Sequence, residues 1–320
     1  MSQEQTKILQ LLEEGKINAD EAELLLKAMQ RPHHPPPTSA NDPKPAATAA
    51  PGASFDWGEW FKGLLKGIAK EQAEEQVDWQ AERGVIHAIA VQTVNGSLHY
   101  VGADQTTIAI HAHKRVKAPD LATAEALLSQ VQVRIEEQEG TLVIYPDYPK
   151  PPPMVEVQVN LVIHGPRTLN LTAHSTNGHV QISGVEGNVE AHSTNGEVEV
   201  HELAGAIQAK STNGNVSVQA LRLTAASEFV SQNGALSITI QQGQVPITAT
   251  TVNGSLHLRL PAAYTGQLDA RTQNGHIHSA LPVRTTQQAR NRLVGQLGTG
   301  GETPLTLRSQ NGSVTLALAA

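Results

Sequence analysis

One hexapeptide pattern, Ser/Thr-x-Asn-Gly-x-aliphatic, recurs eight times along the 320 residues and leaves few folds open. Its asparagines are Asn95, Asn177, Asn195, Asn213, Asn233, Asn253, Asn274 and Asn311. From Asn177 to Asn274 the steps are 18, 18, 20, 20 and 21 residues, a repeat length that marks a stack of similar units. Aligning the copies on Asn sets Leu171, Val189 and Ile207 in one column and Ala173, Ala191 and Ala209 in the next. Ser175, Ser193 and Ser211 follow, and Val180, Val198 and Val216 lie beyond the Gly. Polar residues such as His174, His192, Lys210 and Glu190 alternate with them, as on strands with one wet face.

Two folds use such a pattern. Asn-Gly is favoured in two-residue hairpin turns, because both residues tolerate positive φ, so an antiparallel meander or sandwich is one reading. In a parallel β-solenoid the repeats instead stack on themselves at ~4.8 Å, like residue upon like. Only stacking gives Ala, Ser, Asn and Val a reason to recur each in its own column, and Asn side chains can hydrogen-bond along a stack. The expected class is therefore mainly β, a parallel solenoid, with the antiparallel sandwich as the alternative.

Upstream the texture changes three times. Residues 1–30 follow a helical period, with Gly15 stopping a first helix and Asn18 with Glu21 forming a capping box for a second. Residues 31–54 hold seven Pro and six Ala and read as a semi-extended, disordered linker. Residues 55–82 read as an amphipathic helix whose apolar face is Trp57, Trp60, Phe61, Leu64, Leu65 and Ile68, opposite Lys62, Lys66 and Lys70. That face would either cap the end of the solenoid or lie on a membrane surface. The β domain is then expected over 83–320. Within it, 119–130 reads as a helix capped by Asp120, and 107–114, 131–136, 141–145 and 155–164 read as strands. Residues 281–303 combine charge and glycine and read as a loop excursion between repeats.

The repeated "STNGxVxV" units, the segment "KRVKAPDLATAEALLSQVQVRIEEQEGTLVIYP" and the ending "GTGGETPLTLRSQNGSVTL" resemble the bacterial adhesin-like β-strand-repeat proteins, a domain of unknown function, over roughly residues 85–320. Residues 2–30 are similar to the short SHOCT-like two-helix module that precedes this domain in envelope-stress-associated proteins. The resemblance implies a β-helical fold, no established enzyme activity, and no catalytic residues to transfer.

The remaining chemistry is sparse. Against 23 basic residues stand 30 acidic ones, a formal charge of −7 that argues against a nucleic-acid footprint. With no cysteine, thiolate metal sites, disulfides and a Cys nucleophile drop out. Some β-helices cleave polysaccharides with clustered carboxylates, but Asp269 is the single Asp beyond Gly165, and Glu190, Glu197, Glu199 and Glu202 read as solvated-face residues. His111 with His113, His276 with His278, and His33 with His34 lack the third ligand that zinc requires. Gly298 to Gly301 lacks the Lys and spacing of a phosphate loop. No export signal and no apolar run of ~20 residues is present, so a cytoplasmic protein is expected, with peripheral membrane contact as the competing role of the Trp57 face. The function expected is a non-catalytic scaffold without cofactor, engaging protein partners through the helical hairpin or the solenoid face. A carbohydrate-binding or carbohydrate-cleaving β-helix is the alternative.

Overall fold

The computed structural model describes residues 71–82, 84 and 86–319. The helical hairpin of 1–30, the linker of 31–54 and the face from Trp57 to Ile68 lie outside the described residues. Two compact units are distinguished. Among the described residues, one contains 73–116 and 125–319; the other contains 71–72 and 117–124. In the latter, Asp120 caps the start of the helix α1 (Leu121–Leu128), its carboxylate accepting from the Thr123 amide and hydroxyl at 2.8 Å each.

The large unit is a stack of two-stranded rungs. The regular ones are β8 (Asn170–Asn177) with β9 (Val180–Ser183), β10 (Val189–Asn195) with β11 (Val198–Gly205), and β12 (Ile207–Asn213) with β13 (Val216–Leu223). Next come β14 (Ser227–Asn233) with β15 (Leu236–Gln242), and β16 (Ile247–Asn253) with β17 (Leu256–Leu260). The even strand of each rung joins a 12-stranded sheet B and the odd strand an 11-stranded sheet A. Asn-Gly therefore turns the chain from one sheet into the other. Every interior pairing is parallel and in register, as in Ala173↔Ala191↔Ala209 and Asn177↔Asn195↔Asn213. The antiparallel sandwich does not occur here, because the strands on either side of an Asn-Gly never pair with each other.

Period-two patterning makes the core. Val189, Ala191, Val198 and Val200 are buried, and their counterparts repeat in each rung. Phe229 takes the place of an Ala in its column, between Ala209 and Ala249, and is fully buried.

At both ends the order of stacking departs from the order of the chain. Strands β22 (Pro304–Ser309) and β23 (Val314–Leu318) come last in sequence. They insert between β16/β17 and the rung formed by β18 (Gly266–Thr272) and β19 (Ile277–Ser279). At the other end, β2 (Ala88–Asn95) and β3 (Leu98–Ala103) lie between β8/β9 and the pair β6 (Thr141–Asp147) and β7 (Glu156–Pro166). Sheet B closes at each end with an antiparallel hairpin: β5 (Gln132–Gln138) on β6, and β20 (Val283–Ala289) on β21 (Arg292–Leu297).

Two expectations need correction. Residues 283–297 are the β20–β21 hairpin, not a loop excursion. Its first strand is exposed along most of its length, so no apolar alternation announces it. Residues 71–82 form strand β1 (Glu71–Glu82), not the tail of a helix. Glu, Gln and Ala favour helix intrinsically, but β1 is an edge strand beside β4 (Thr107–Ala118), and there its carboxylates meet basic side chains. Glu75 pairs with buried Lys114 at 2.6 Å, Glu74 with Arg115 at 2.7 Å, and Asp78 with His111 at 2.7 Å. Among the described residues, no helix is long and apolar enough to cross a membrane.

Candidate functional site

The repeat motif builds one corner of the stack, and each of its residues has a separate task. All eight asparagines stand in a single ladder, ordered 95, 177, 195, 213, 233, 253, 311, 274. In each step the Nδ2 of one Asn donates to the Oδ1 of the Asn below; Asn195 to Asn177 and Asn213 to Asn195 are both 2.7 Å. The ladder ends on a backbone carbonyl, where Asn95 donates to Val157 at 3.2 Å. Because every amide points the same way, each bond polarises the next.

The Ser/Thr position faces inward and, in seven of the eight copies, donates to the glycine carbonyl of the neighbouring rung, while Thr93 donates to the Val159 carbonyl. Ser193 to Gly178 and Ser211 to Gly196 are both 2.9 Å, and Thr272 to Gly312 is 2.8 Å. Glycine follows Asn because the rungs approach too closely for a side chain. A Cβ on Gly196 would overlap the carbonyl of Gly178, and the same holds at Gly214, Gly234 and Gly254. Of the eight motif glycines only Gly96 has a positive φ, 143°. Positive φ, the reason a hairpin turn would offer for Asn-Gly, therefore does not account for the glycine here; close stacking does.

Outward residues of sheet B form columns as regular as the core. Three residues before Asn runs a largely basic row: Gln92, His174, His192, Lys210, Val230, Thr250, Arg308 and Arg271. Five residues before Asn lie Glu190, Glu228 and Asp269. The two rows pair across rungs, His174 with Glu190 at 3.6 Å and Lys210 with Glu228 at 3.0 Å. Hydrogen bonds from Gln208 and Lys210 hold the Glu228 carboxyl below its ordinary range. His174 and His192 meet edge to face at 5.8 Å. Burial, then the neighbouring His174 and Lys210, depress the pKa of His192. Thr176, Thr194 and Thr212 make the adjoining neutral column. This organisation is legible in the sequence: aligned on Asn like the apolar positions, the polar ones sort the charges into rows.

A groove of 450 Å³ crosses the opposite margin of the same face, lined by Asn170, Asn188, Glu190, Gln208, Glu228 and Thr248 from five successive rungs. The carboxylates considered for glycan cleavage do not converge, since Glu190 lies on sheet B while Glu199 and Glu202 lie on sheet A. Of the other histidines, His111 and His113 face Asp78 and Glu74, and His276 accepts from Arg290 Nε at 3.0 Å. Among the described residues, no three His, Asp or Glu assemble as a metal-ligand set.

Solved structures similar to the chain include a candidate cell adhesion protein from Clostridium sporogenes, at 8% identity and a TM-score of 0.31, covering 77% of this chain and 100% of that one. A candidate adhesin from Bacteroides fragilis matches at 13% identity and a TM-score of 0.36, covering 76% and 96%. A candidate lipid-binding protein from Parabacteroides distasonis matches at 12% and 0.34, also covering 76% and 96%. No curated protein matches the chain in sequence. Residues 3–32 match the SHOCT-like domain. Residues 73–245 and 170–317 match the Toastrack DUF4097 model, and the chain belongs to that family.

Proposed function

We propose that the protein is a non-catalytic scaffold whose repetitive sheet B face receives an extended protein partner. The groove spanning five rungs carries this reading: it is long, shallow in chemistry, and lined by side chains that repeat from rung to rung. Its carboxylates are engaged by Lys210, His174 and Gln208, which suits a stable surface better than an acid–base pair. The SHOCT-like module, joined through the Pro/Ala-rich segment, adds a second protein contact, and its pairing with Toastrack repeats supports a role in a bacterial envelope response. Crosslinking in native cells with mass spectrometry tests the reading. Thr172→Lys and Gln208→Lys should remove partner crosslinks while leaving the melting temperature within a few degrees. Crosslinks unchanged by both would overturn it, as would reproducible glycan turnover by the wild-type protein.

The Trp57, Trp60, Phe61, Leu64, Leu65 and Ile68 face serves, in the same proposal, to cover an end of the stack. Its sequence position directly before β1 supports this, since solenoid ends left open invite strand pairing with other chains. Trp60→Glu should lower the melting temperature with no vesicle flotation by either protein. Flotation of the wild type on anionic vesicles, lost in the variant with an unchanged melt, would reassign the face to a membrane.

A further inference from the structure

The basic row on sheet B changes character at its C-terminal end. Over the interior rungs Lys210 pairs with Glu228 and His174 with Glu190. Beyond Thr250, the row continues as Arg308, Arg271 and Arg292, three arginines on the adjacent strands β22, β18 and β21 and in mutual register. Adjacent strands lie only about 4.8 Å apart, and like charges set directly opposite repel. One carboxylate stands against the three, and it meets two of them: Asp269 accepts from Arg271 Nε at 2.8 Å and from an Arg308 terminal nitrogen at 3.3 Å. Two positive charges are left over. Arg292 is worse served, because its Nε is sealed from solvent and has no hydrogen-bond partner. Leaving a charged donor unmet inside a protein is costly unless something else meets the group.

These three side chains line a groove of 540 Å³, together with the neutral donors Thr250, Gln273 and Gln310, and no acidic residue lines it. The β20–β21 hairpin brings Arg292 there by folding back antiparallel on β18, so the site exists only where the hairpin meets the repeat stack. We propose that this groove binds a phosphate dianion. The charge fits, since two uncompensated guanidinium groups match the roughly −2 of a phosphate monoester near neutral pH. The geometry fits as well, because the guanidinium fork presents paired N–H donors to tetrahedral oxyanions.

The test is isothermal titration of the full chain with inorganic phosphate and with glycerol phosphate at low salt. It is run beside flotation on phosphatidylcholine vesicles with and without phosphatidic acid. Saturable phosphate binding is expected, weakened at least tenfold in Arg308→Gln and in Arg271→Gln. Both side chains are 44% exposed, so folding should survive and melting curves will show it. Asp269→Asn should tighten binding several-fold, because it removes the competing carboxylate; a purely structural ion pair would give no such gain. Glycerol phosphate binding without flotation identifies a soluble monoester as the source. Flotation that requires phosphatidic acid and is lost in Arg308→Gln identifies a lipid headgroup. Absence of saturable phosphate binding overturns the proposal, and so does an affinity unchanged in both arginine variants or not raised in Asp269→Asn.

Discussion

The interior rungs and the two ends of the stack are built from the same motif under opposite rules. Between Asn177 and Asn253 each rung rests on its sequence neighbour, and every strand is parallel. At the ends the first and last Asn-Gly rungs are placed one position inward, and an antiparallel hairpin closes sheet B outside them. An interior rung needs only a copy of itself above and below. An end rung has one open edge, and an open edge is a template for aggregation. Burying the sequence-terminal rungs and spending hairpins on the outside resolves that, at the cost of long-range connections that form slowly.

Breaking the ends should therefore do more than local damage. Deleting 304–320 removes the rung that separates β16/β17 from β18/β19. Hydrogen exchange should then lose protection throughout 266–297 while 170–223 stays protected. Loss confined to the immediate neighbours of the cut would show that the end is not interlocked. The next largest effect belongs to an interior corner. Gly196→Ala drives a Cβ into the backbone of Gly178, which cannot move aside without shifting the rung, and should cost about 3 kcal/mol in denaturant unfolding. Gly300→Ala, in the loop after the end hairpin, meets nothing nearer than the flexible Gln296 side chain at 3.2 Å. Only its positive φ of 88° is strained, for about 1–2 kcal/mol. Equal costs would erase the distinction between stacking and turn conformation.

Smaller differences sharpen the same contrast. Asn195 has ladder partners on both sides, and Asn195→Asp should cost about 1–2 kcal/mol. Asn274 is the last ladder member and donates to Asn311; the same change there should cost roughly half as much. Asp at Asn177, Asn195 and Asn213 together should exceed the sum of the single losses, because like charges would stack rung upon rung; additive losses would contradict the ladder. The smallest effect is a pH dependence. Burial, His174 and Lys210 hold His192 below its ordinary 6.5. The unfolded chain then binds more protons in that window, so stability should fall as pH drops below about 6.5. His192→Gln should flatten that slope in thermal melts between pH 7 and 5.5; an unchanged slope would remove His192 from the explanation. At the β1 edge the sign is the same for a different reason. The Glu74 carboxyl is lowered by its hydrogen bond to Arg115 and that of Asp78 by its bond to His111, so their contribution persists above the carboxylate range and disappears in acid below it.

The contrast between interior and ends also divides what the sequence discloses. Interior stacking is legible because it rests on contacts between like residues at a fixed spacing, such as Ser193 above Gly178 and Asn195 above Asn177. The interleaved ends are not, since nothing local to 304–318 distinguishes a rung added last from one inserted. The β20–β21 hairpin eludes period-two reading because its outer strand buries little. Strand β1 reads as helix because its composition favours helix and its partners, His111 to Arg115, lie more than 30 residues away in sequence. The arginine groove was half legible. Arg271 and Arg308 hold the Asn-minus-three position of the repeat, but Arg292 reaches them only through the hairpin.

The central claim is that the rungs stack in parallel, with the sequence-terminal rung interleaved. The chain has no native cysteine, so paired substitutions report adjacency without background. Thr315 is the register partner of both His257 and His278 on the outer face of sheet A. With a short bifunctional thiol reagent, the pairs His257→Cys with Thr315→Cys and His278→Cys with Thr315→Cys should both crosslink within the monomer. His257→Cys with His278→Cys, about two strand spacings or ~9.6 Å apart, should not. Crosslinking of the 257–278 pair with none between 257 and 315 would mean that the rungs follow chain order, and the interleaved stack would be wrong.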